Sequence, residues 1–323
     1  MRIIALITTA VAAMISAVQA AAPSTQPASH GPAQRQVIRD PHFRRGFFLI
    51  APEPGRRIAY GELAGEDPKL KPVWDLDQWS SKYPLAARPP RVLADGSRCF
   101  ANKAKSVIVG QAGSERADIA LAVNAPLEYG GRAREAGEPW VHLLLLQAIE
   151  NPPSLAEISS ARLRVEARLL RSKLLKTKDY TPALHAAQAQ IFFSVQNRNR
   201  NSPGYGQYLW FGIPLYDDRW RSPAEYKARD TGGTNMFIFT PAAKEFTAKS
   251  AHDGEWISID KDLLPLMREG LATAWERGFL KESRNLADYR IAEMNLGWEA
   301  PGLFDVEMQI RNLGLRVTDA PGR

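Results

Sequence analysis

The chain has 323 residues, of which 45% are hydrophobic and 24% are charged, with a formal net charge of +7. This balance is typical of a globular protein with a proper hydrophobic core. Cys99 is the single cysteine, which excludes a framework of disulfide bonds. The positive charge favours anionic partners such as an acidic polysaccharide. No nucleic-acid-binding motif accompanies that charge, and we expect no nucleic-acid partner.

The N-terminal residues have the three parts of a secretory signal peptide. Arg2 supplies the positive charge, residues 3–15 are uncharged and mostly apolar, and Val18-Gln19-Ala20 places small residues at the cleavage positions. The sequence therefore predicts a signal peptide over residues 1–20 and a secreted or periplasmic protein. Because no segment reaches the ~20 apolar residues that cross a bilayer, we expect no membrane span after cleavage.

Two segments follow before the first regular pattern. Residues 21–38 are rich in small and polar residues and have little to bury, which is typical of a flexible tether. Residues 39–97 are dense in Pro and Gly but carry the aromatic residues Phe47, Phe48, Tyr60, Trp74, Trp79 and Tyr83. We predict an irregular segment, with a short strand over residues 47–50, that its aromatic side chains hold against the main domain.

Residues 98–318 read as strands separated by turn residues, the pattern of an all-β sandwich. The predicted strands are 106–110, 117–123, 140–149, 161–170, 188–196, 207–216, 236–240, 255–259, 289–296 and 304–317. Apolar residues recur at helical spacing over residues 262–278. The βαβ alternation of a parallel sheet is absent. We predict an antiparallel, two-sheet, jelly-roll-like β-sandwich with one helix across its end.

Side-chain alternation in two of these strands predicts a binding face. Over residues 207–216, one face carries only aliphatic and Phe side chains, whereas the other carries Tyr208, Trp210 and Tyr216. The strand over residues 188–196 adds Gln190 and Gln196 to the second kind of face. Aromatic rings stack on sugar rings and amides bind hydroxyl groups, so this face is suited to carbohydrate. The alternative is that residues 39–97 cover the face.

The last two predicted strands flank a turn and are expected to form a hairpin. In that register Glu293 lies opposite Glu307, and the polar side chains on the same face are Asn295, Gln309 and Arg311. Two carboxylates at that separation cannot both ionise cheaply without a cation. They therefore predict the acid and nucleophile of a retaining glycosidase, a structural calcium site, or a pair neutralised by Arg311.

Three segments resemble strands of the galactose-binding-like jelly-roll modules that bind carbohydrate. They are residues 161–167, 254–260 and 304–313. The resemblance covers roughly the second half of the chain, and it implies a jelly-roll fold and carbohydrate binding. The predicted helix over residues 262–278 departs from such modules, and no ligand residue of the family can be carried over.

The favoured hypothesis from sequence is an exported carbohydrate-binding protein. Its predicted site residues are Tyr208, Trp210, Tyr216, Gln190, Gln196, Glu293, Asn295, Gln309 and Arg311. One alternative is a glycan-cleaving enzyme on the same sandwich, a glycoside hydrolase or polysaccharide lyase, with Glu293 and Glu307 as the catalytic candidates. Another is a structural protein of the cell envelope. The histidines lack the spacing of a metal site, and we expect no cofactor apart from the calcium alternative.

Overall fold

The described part of the chain contains seventeen β-strands and two α-helices. The structure is a computed structural model that describes residues 34–111 and 117–321. The predicted signal peptide, its cleavage site and most of the predicted tether lie outside these residues. The strands are β1 (Gln34–Gln36), β2 (Gly46–Ile50), β3 (Ala59–Ala64), β4 (Trp74–Asp77), β5 (Arg91–Val92), β6 (Arg98–Ala101), β7 (Lys105–Val109), β8 (Ile119–Asn124), β9 (Val141–Ala148), β10 (Ile158–Leu174), β11 (Gln188–Asn197), β12 (Tyr208–Asp217), β13 (Tyr226–Arg229), β14 (Phe237–Thr240), β15 (Ile257–Asp262), β16 (Tyr289–Ala300) and β17 (Phe304–Asp319).

The strands form two sheets. Sheet A has the order β15-β10-β17-β8-β7-β6-β5, with β1 added beside β17, and sheet B has the order β13-β14-β12-β11-β16-β9-β4-β2-β3. Neighbouring strands are antiparallel except for β2 with β4 and β12 with β14, which are parallel. The predicted all-β two-sheet fold is confirmed.

The core lies between the two sheets and is built by strand alternation. Leu209, Phe211 and Ile213 of β12 are fully buried, as are the alternate residues of the strands of sheet A. Trp298 of β16 links the layers, because its indole Nε1 donates a hydrogen bond of 2.9 Å to the carbonyl oxygen of Leu121 in β8. One face of each sheet is therefore inaccessible, and any site has to lie on an outward face or at an edge.

The predicted helix is present as α2 (Leu264–Glu276), whereas α1 (Ala125–Glu128) is a single turn. Helix α2 buries Met267, Leu271 and Ala274 and contacts β12 and β10. Gly270 sets how closely the helix approaches the sheet, because a Cβ there would lie 2.9 Å from the Leu209 side chain. None of the helices in the described residues is long and apolar enough to span a membrane.

Residues 39–97 differ from the irregular segment expected. They supply β2, β3 and β4, which extend sheet B beyond β9, and β5, which ends sheet A. These strands have two to six residues each, so side-chain alternation is too short to detect among the Pro and Gly residues. In sheet B, the strand order places β2, β3 and β4 on the far side of β9 from β11 and β12. They therefore extend the sheet beside the predicted aromatic strands.

The predicted C-terminal hairpin is wrong. Strand β16 pairs with β11 and β9 in sheet B, whereas β17 pairs with β10 and β8 in sheet A. The connection crosses from one layer to the other, and each strand buries alternate residues against the opposite sheet. Glu293 consequently faces outward on sheet B, while Glu307, Gln309 and Arg311 face outward on sheet A. The Glu293–Glu307 catalytic pair and the corresponding calcium site are thereby excluded.

Candidate functional site

The open face of sheet B consists of the side chains of this sheet that point away from sheet A. This face extends across β12, β11 and β16, where Trp210 is paired with Ser194 and Phe192 is paired with Asn295. The predicted site residues that lie on this face are Tyr208, Trp210, Gln190, Gln196, Glu293 and Asn295. Six of the nine predicted ligand-binding residues are thus brought together.

Tyr216 is not on this face, contrary to the sequence prediction. A register shift between Ala189 and Gln190 turns the end of β12, and Tyr216 becomes 4% exposed. Its ring lies 5.9 Å from that of Trp298, and its hydroxyl donates a hydrogen bond of 2.8 Å to Ser172. A single bulge reverses the alternation beyond it, which sequence alternation alone does not reveal.

Three aromatic side chains form a cluster on the β12 side of the open face. The Trp210 ring lies 4.9 Å from Tyr208 and 5.8 Å from Phe192, both in edge-to-face contact. Gly212 leaves the space for this packing, because a Cβ there would lie 2.7 Å from the Phe192 ring. All three rings remain partly exposed. The cluster offers an apolar surface for stacking next to polar groups.

A second aromatic group lies at the end of β9. The His142 ring stacks on Trp140 at 6.5 Å and meets Trp79 edge-on at 5.7 Å. Its Nδ1 donates a hydrogen bond of 2.7 Å to the carbonyl oxygen of Trp140. Burial lowers the pKa of His142 to about 4, so the imidazole is neutral at physiological pH. Trp140 remains 40% exposed.

Glu299 occupies the row of the open face between β11 and β9. It is paired with Gln188 on one side and with His142 on the other. Burial, reinforced by the negative charge of Asp230, raises the pKa of Glu299 to about 7. Among residues 34–111 and 117–321, no side chain donates a hydrogen bond to this carboxyl group or forms an ion pair with it. Glu299 is partly exposed, so it can give up a proton to a bound molecule.

Glu299 is absent from the predicted site residues, because the strand was predicted to end at residue 296 and the following residues to form a turn. The strand continues to Ala300. Extending the alternation from Glu293 through Asn295 and Gly297 would have placed Glu299 on the same face. Gly297 hid this continuation, because glycine was interpreted as a turn signal, whereas here a Cβ would clash with the Leu143 carbonyl oxygen at 2.1 Å.

Asp230 reaches the open face from the loop that joins β13 and β14. Thr234 in this loop accepts a hydrogen bond of 3.0 Å from Trp210 Nε1 and donates one of 2.7 Å to Asp230. The backbone N–H of Thr234 donates a second hydrogen bond of 2.7 Å to Asp230. Burial raises the pKa of Tyr208, and the charges of Asp230 and Glu293 raise it further. The negative charge of Asp230 therefore acts on both Glu299 and Tyr208.

A further acidic group lies on β4 and β16. It consists of Asp75, Asp77 and Glu293, with Arg57 reaching over from the loop between β2 and β3. Arg57 Nε donates to Asp75, and Arg57 Nη1 lies 3.5 Å from Glu293 Oε1. Burial and the negative charge of Asp75 raise the pKa of Asp77 to about 7, while Arg57 lowers it. We call these four residues the Arg57 cluster.

The amides predicted to bind ligand differ in availability. Gln196 is used internally, because its Nε2 donates to Gly206 at 2.8 Å and its Oε1 accepts from Arg198 at 3.0 Å. Gln190 is partly exposed, and Asn295 is 7% exposed. Among the residues that the structure describes, no group of three or more His, Cys, Asp or Glu side chains is arranged to hold a metal ion.

Comparison with protein-family models gives no match, and comparison with curated proteins gives none either. Solved structures do give matches. An endoglucanase, cel12A from Rhodothermus marinus, is 12% identical with a TM-score of 0.40, covering 73% of this chain and 98% of its own. A family 12 xyloglucanase from Bacillus licheniformis is 12% identical with a TM-score of 0.38, covering 71% and 98%.

A family 11 xylanase from Neocallimastix patriciarum is 9% identical with a TM-score of 0.33, covering 69% of this chain and 95% of its own. These structures carry the names of family 11 and family 12 glycosidases. None of these three structures is named as a galactose-binding-like module, the family that the sequence resembles. Any activity of this chain has to follow from its own side chains.

Proposed function

We propose that this protein hydrolyses glycosidic bonds on the open face of sheet B, with Glu299 as the proton donor and Asp230 as its partner carboxylate. The observation that carries the proposal is the state of Glu299. This carboxyl group has a pKa raised to about 7, lies on an accessible face and has a second carboxylate close enough to act on it. A carboxylic acid and a carboxylate in different environments are the usual pair of glycosidases.

The two groups would divide the reaction between them. Protonated Glu299 gives its proton to the glycosidic oxygen as the bond to the anomeric carbon breaks. Asp230 is fixed by two hydrogen bonds from Thr234, so its carboxylate is oriented to accept a proton from the attacking water. Neutral His142 lies beside Glu299 and adds no positive charge that would promote loss of the Glu299 proton.

The aromatic residues support carbohydrate as the substrate class. Tyr208, Trp210 and Phe192 lie on one side of the face, and Trp140 and Trp79 lie at the end of β9 near Glu299. Sugar rings stack on such surfaces through their C–H groups. A glycan that contacts both aromatic groups would lie on the same face as Glu299. We include export in the proposal, on the basis of residues 1–20, because extracellular polysaccharide is then accessible.

The test is hydrolysis of a polysaccharide panel by the wild type and three variants. We expect Glu299→Gln and Asp230→Asn each to lower the rate about 100-fold or more, since general acid–base catalysis contributes about that much. Glu307→Gln is the matched control, because Glu307 is a partly exposed carboxylate on the opposite sheet that is paired with Arg171 at 2.7 Å. It should retain full activity.

The pH profile provides an independent readout. The active form needs a protonated Glu299, so the rate should fall as the pH rises through about 7. Binding of glycans without hydrolysis of any, in wild type and variants alike, would contradict the enzyme proposal and favour the non-catalytic carbohydrate-binding hypothesis. Failure to bind any glycan would exclude both and favour a structural envelope protein.

A further inference from the structure

We propose that the Arg57 cluster is a subsite for a free amino group on the glycan, and that Arg57 occupies the place of that ammonium group when no substrate is bound. The chemical class of substrate is a glycan with deacetylated amino sugars. This inference rests on the proposed function only in taking carbohydrate as the ligand of the open face. It assigns a specificity that the proposed catalytic carboxylates do not determine.

Arg57 is the resident cation of the cluster and comes from an exposed loop. Its side chain is 47% exposed, whereas the Asp75 side chain that it contacts is only 12% exposed. The same guanidinium spans from Asp75 on β4 to Glu293 on β16, at 3.5 Å from Glu293 Oε1. An exposed residue on a loop is free to move away at small cost, and it would leave a preformed anionic site on rigid strands.

The burial of Asp77 without hydrogen-bond partners also indicates that the cluster binds a ligand. It is 1% exposed, although its side chain points away from the core between the sheets. Neither of its carboxyl oxygens has a hydrogen-bond partner among the described residues. Leaving a buried carboxyl group without hydrogen-bond partners is destabilising, so a donor that approaches from the open face would be stabilised there.

The charge of the cluster favours a cation. Three carboxyl groups face one guanidinium, and burial together with Asp75 and Glu293 keeps the pKa of Asp77 near 7, so that the net charge becomes more negative as Asp77 ionises. The other titratable groups of the open face include the carboxyls Glu299 and Asp230, with neutral His142. An acidic polysaccharide, which the overall charge of +7 favoured, would be repelled here.

An organic ammonium fits the cluster better than a metal ion does. The described residues hold no metal-binding group of three or more side chains, and the site already accommodates a cation that donates hydrogen bonds. An ammonium group has three donors and is compact, so it can bind Asp75 and Glu293 and approach Asp77. Acetylation removes both the charge and two of these donors, which makes the acetyl group a discriminating probe.

The experiment measures binding by calorimetry in the Glu299→Gln background, where turnover is prevented. The probes are a glucosamine oligomer and its fully N-acetylated counterpart of the same length. We expect the glucosamine oligomer to bind about tenfold more tightly, because its ammonium group makes charge-assisted hydrogen bonds to the carboxylates that the acetamide group cannot make. This preference for the glucosamine oligomer should be lost in Glu293→Gln and in Asp75→Asn. Glu62→Gln is the control and should retain the preference, because Glu62 is an exposed carboxylate on β3 that is paired with Lys71.

Arg57→Ala is the decisive variant, because its expected effect has the opposite direction. Removal of the resident cation should strengthen binding of the glucosamine oligomer several-fold and leave the acetylated oligomer unchanged. A merely structural ion pair would give weaker or equal binding of both oligomers, and that result would overturn the inference. Equal affinity for the two probes in the parent protein would also overturn it, while leaving the proposed hydrolysis intact. The inference is also overturned if neither oligomer binds. The proposed hydrolysis is tested separately by the polysaccharide panel.

Discussion

The outward faces of the two sheets use the same residue types in different ways. On sheet A the carboxylates are paired with guanidinium groups: Asp260 with Arg162 and Arg164, Glu166 with Arg311, and Glu307 with Arg171. On the open face of sheet B, Glu299 and Asp77 have no cationic side chain bound to them within the described residues, and Arg57 spans two acids. The carboxyl groups of the two outward faces therefore differ in whether they are paired with a cation and in how deeply they are buried.

Paired carboxylates, as on sheet A, are typical of a solvated surface. Unpaired carboxyl groups, as on sheet B, are available for proton transfer or ligand binding. Exposed ion pairs contribute little to stability, because solvent screens the attraction between the two charges. Unpaired, partly buried carboxyl groups have raised pKa values, and such groups concentrate where proton transfer or ligand binding occurs. Three predictions test whether pairing has this meaning here, beginning with a carboxylate that is both paired and fully buried.

The largest effect is expected at the ion pair of Lys105 and Glu128. Both side chains are fully buried, and Ser81 donates a further hydrogen bond of 2.8 Å to Glu128. Lys105→Met leaves Glu128 buried without its cation, and should lower the free energy of unfolding by about 3–5 kcal/mol. Chemical denaturation measures this. The double variant Lys105→Met/Glu128→Gln should recover much of the loss, because it leaves no buried charge; no recovery would contradict the electrostatic explanation.

An intermediate, pH-dependent effect is expected for Asp77→Asn. The folded state holds the Asp77 proton up to a pH of about 7, whereas the unfolded state loses it near the usual value of 3.8. The contribution of protonated Asp77 to the free energy of unfolding is thus fully present below pH 4 and is lost as the pH rises to about 7. At pH 8 the variant should be more stable than the wild type by about 2–4 kcal/mol, and at pH 4 the two should agree.

Thermal unfolding across this pH range provides the measurement for Asp77. Asp75→Asn is the useful comparison, since Asp75 is on the same strand and face but is bound by Arg57. It should show no gain in stability at pH 8. An Asp77→Asn variant that is less stable than the wild type at both pH values would show that the carboxyl group has a partner in solution.

The smallest effect is expected for Glu307→Gln on sheet A. Arg171 donates a hydrogen bond of 2.7 Å to Glu307 and forms an ion pair with Asp305 at 2.9 Å, so the arginine keeps one partner when the other is neutralised. The free energy of unfolding should change by about 1 kcal/mol or less. A change as large as that for Asp77 at pH 8 would remove the distinction between the two faces.

Much of the fold could be predicted from the sequence, and the site only in part. The core alternation of β12 and the spacing of α2 are local patterns, and both predictions are confirmed. Alternation within β12 places Tyr208 and Trp210 on one face. Glu293 joins them because β11 pairs with both β12 and β16. Glu299 was missed because a glycine two residues earlier resembled a turn. Asp230 was missed because it lies in a loop that reaches the face through the hydrogen bond from Trp210 Nε1 to Thr234.

The sequence by itself determined the all-β sandwich and the aromatic character of one face, because burial imposes a period of two on every long strand. It also determined the composition and net charge. Only the tertiary structure decided which strands became neighbours, and so it separated Glu293 from Glu307 and brought Arg57 to Asp75 and Glu293. Strand pairing joins residues far apart in the chain, and the pKa of each carboxyl group depends on those neighbours. The net charge of +7 accordingly gave no indication of an acidic face.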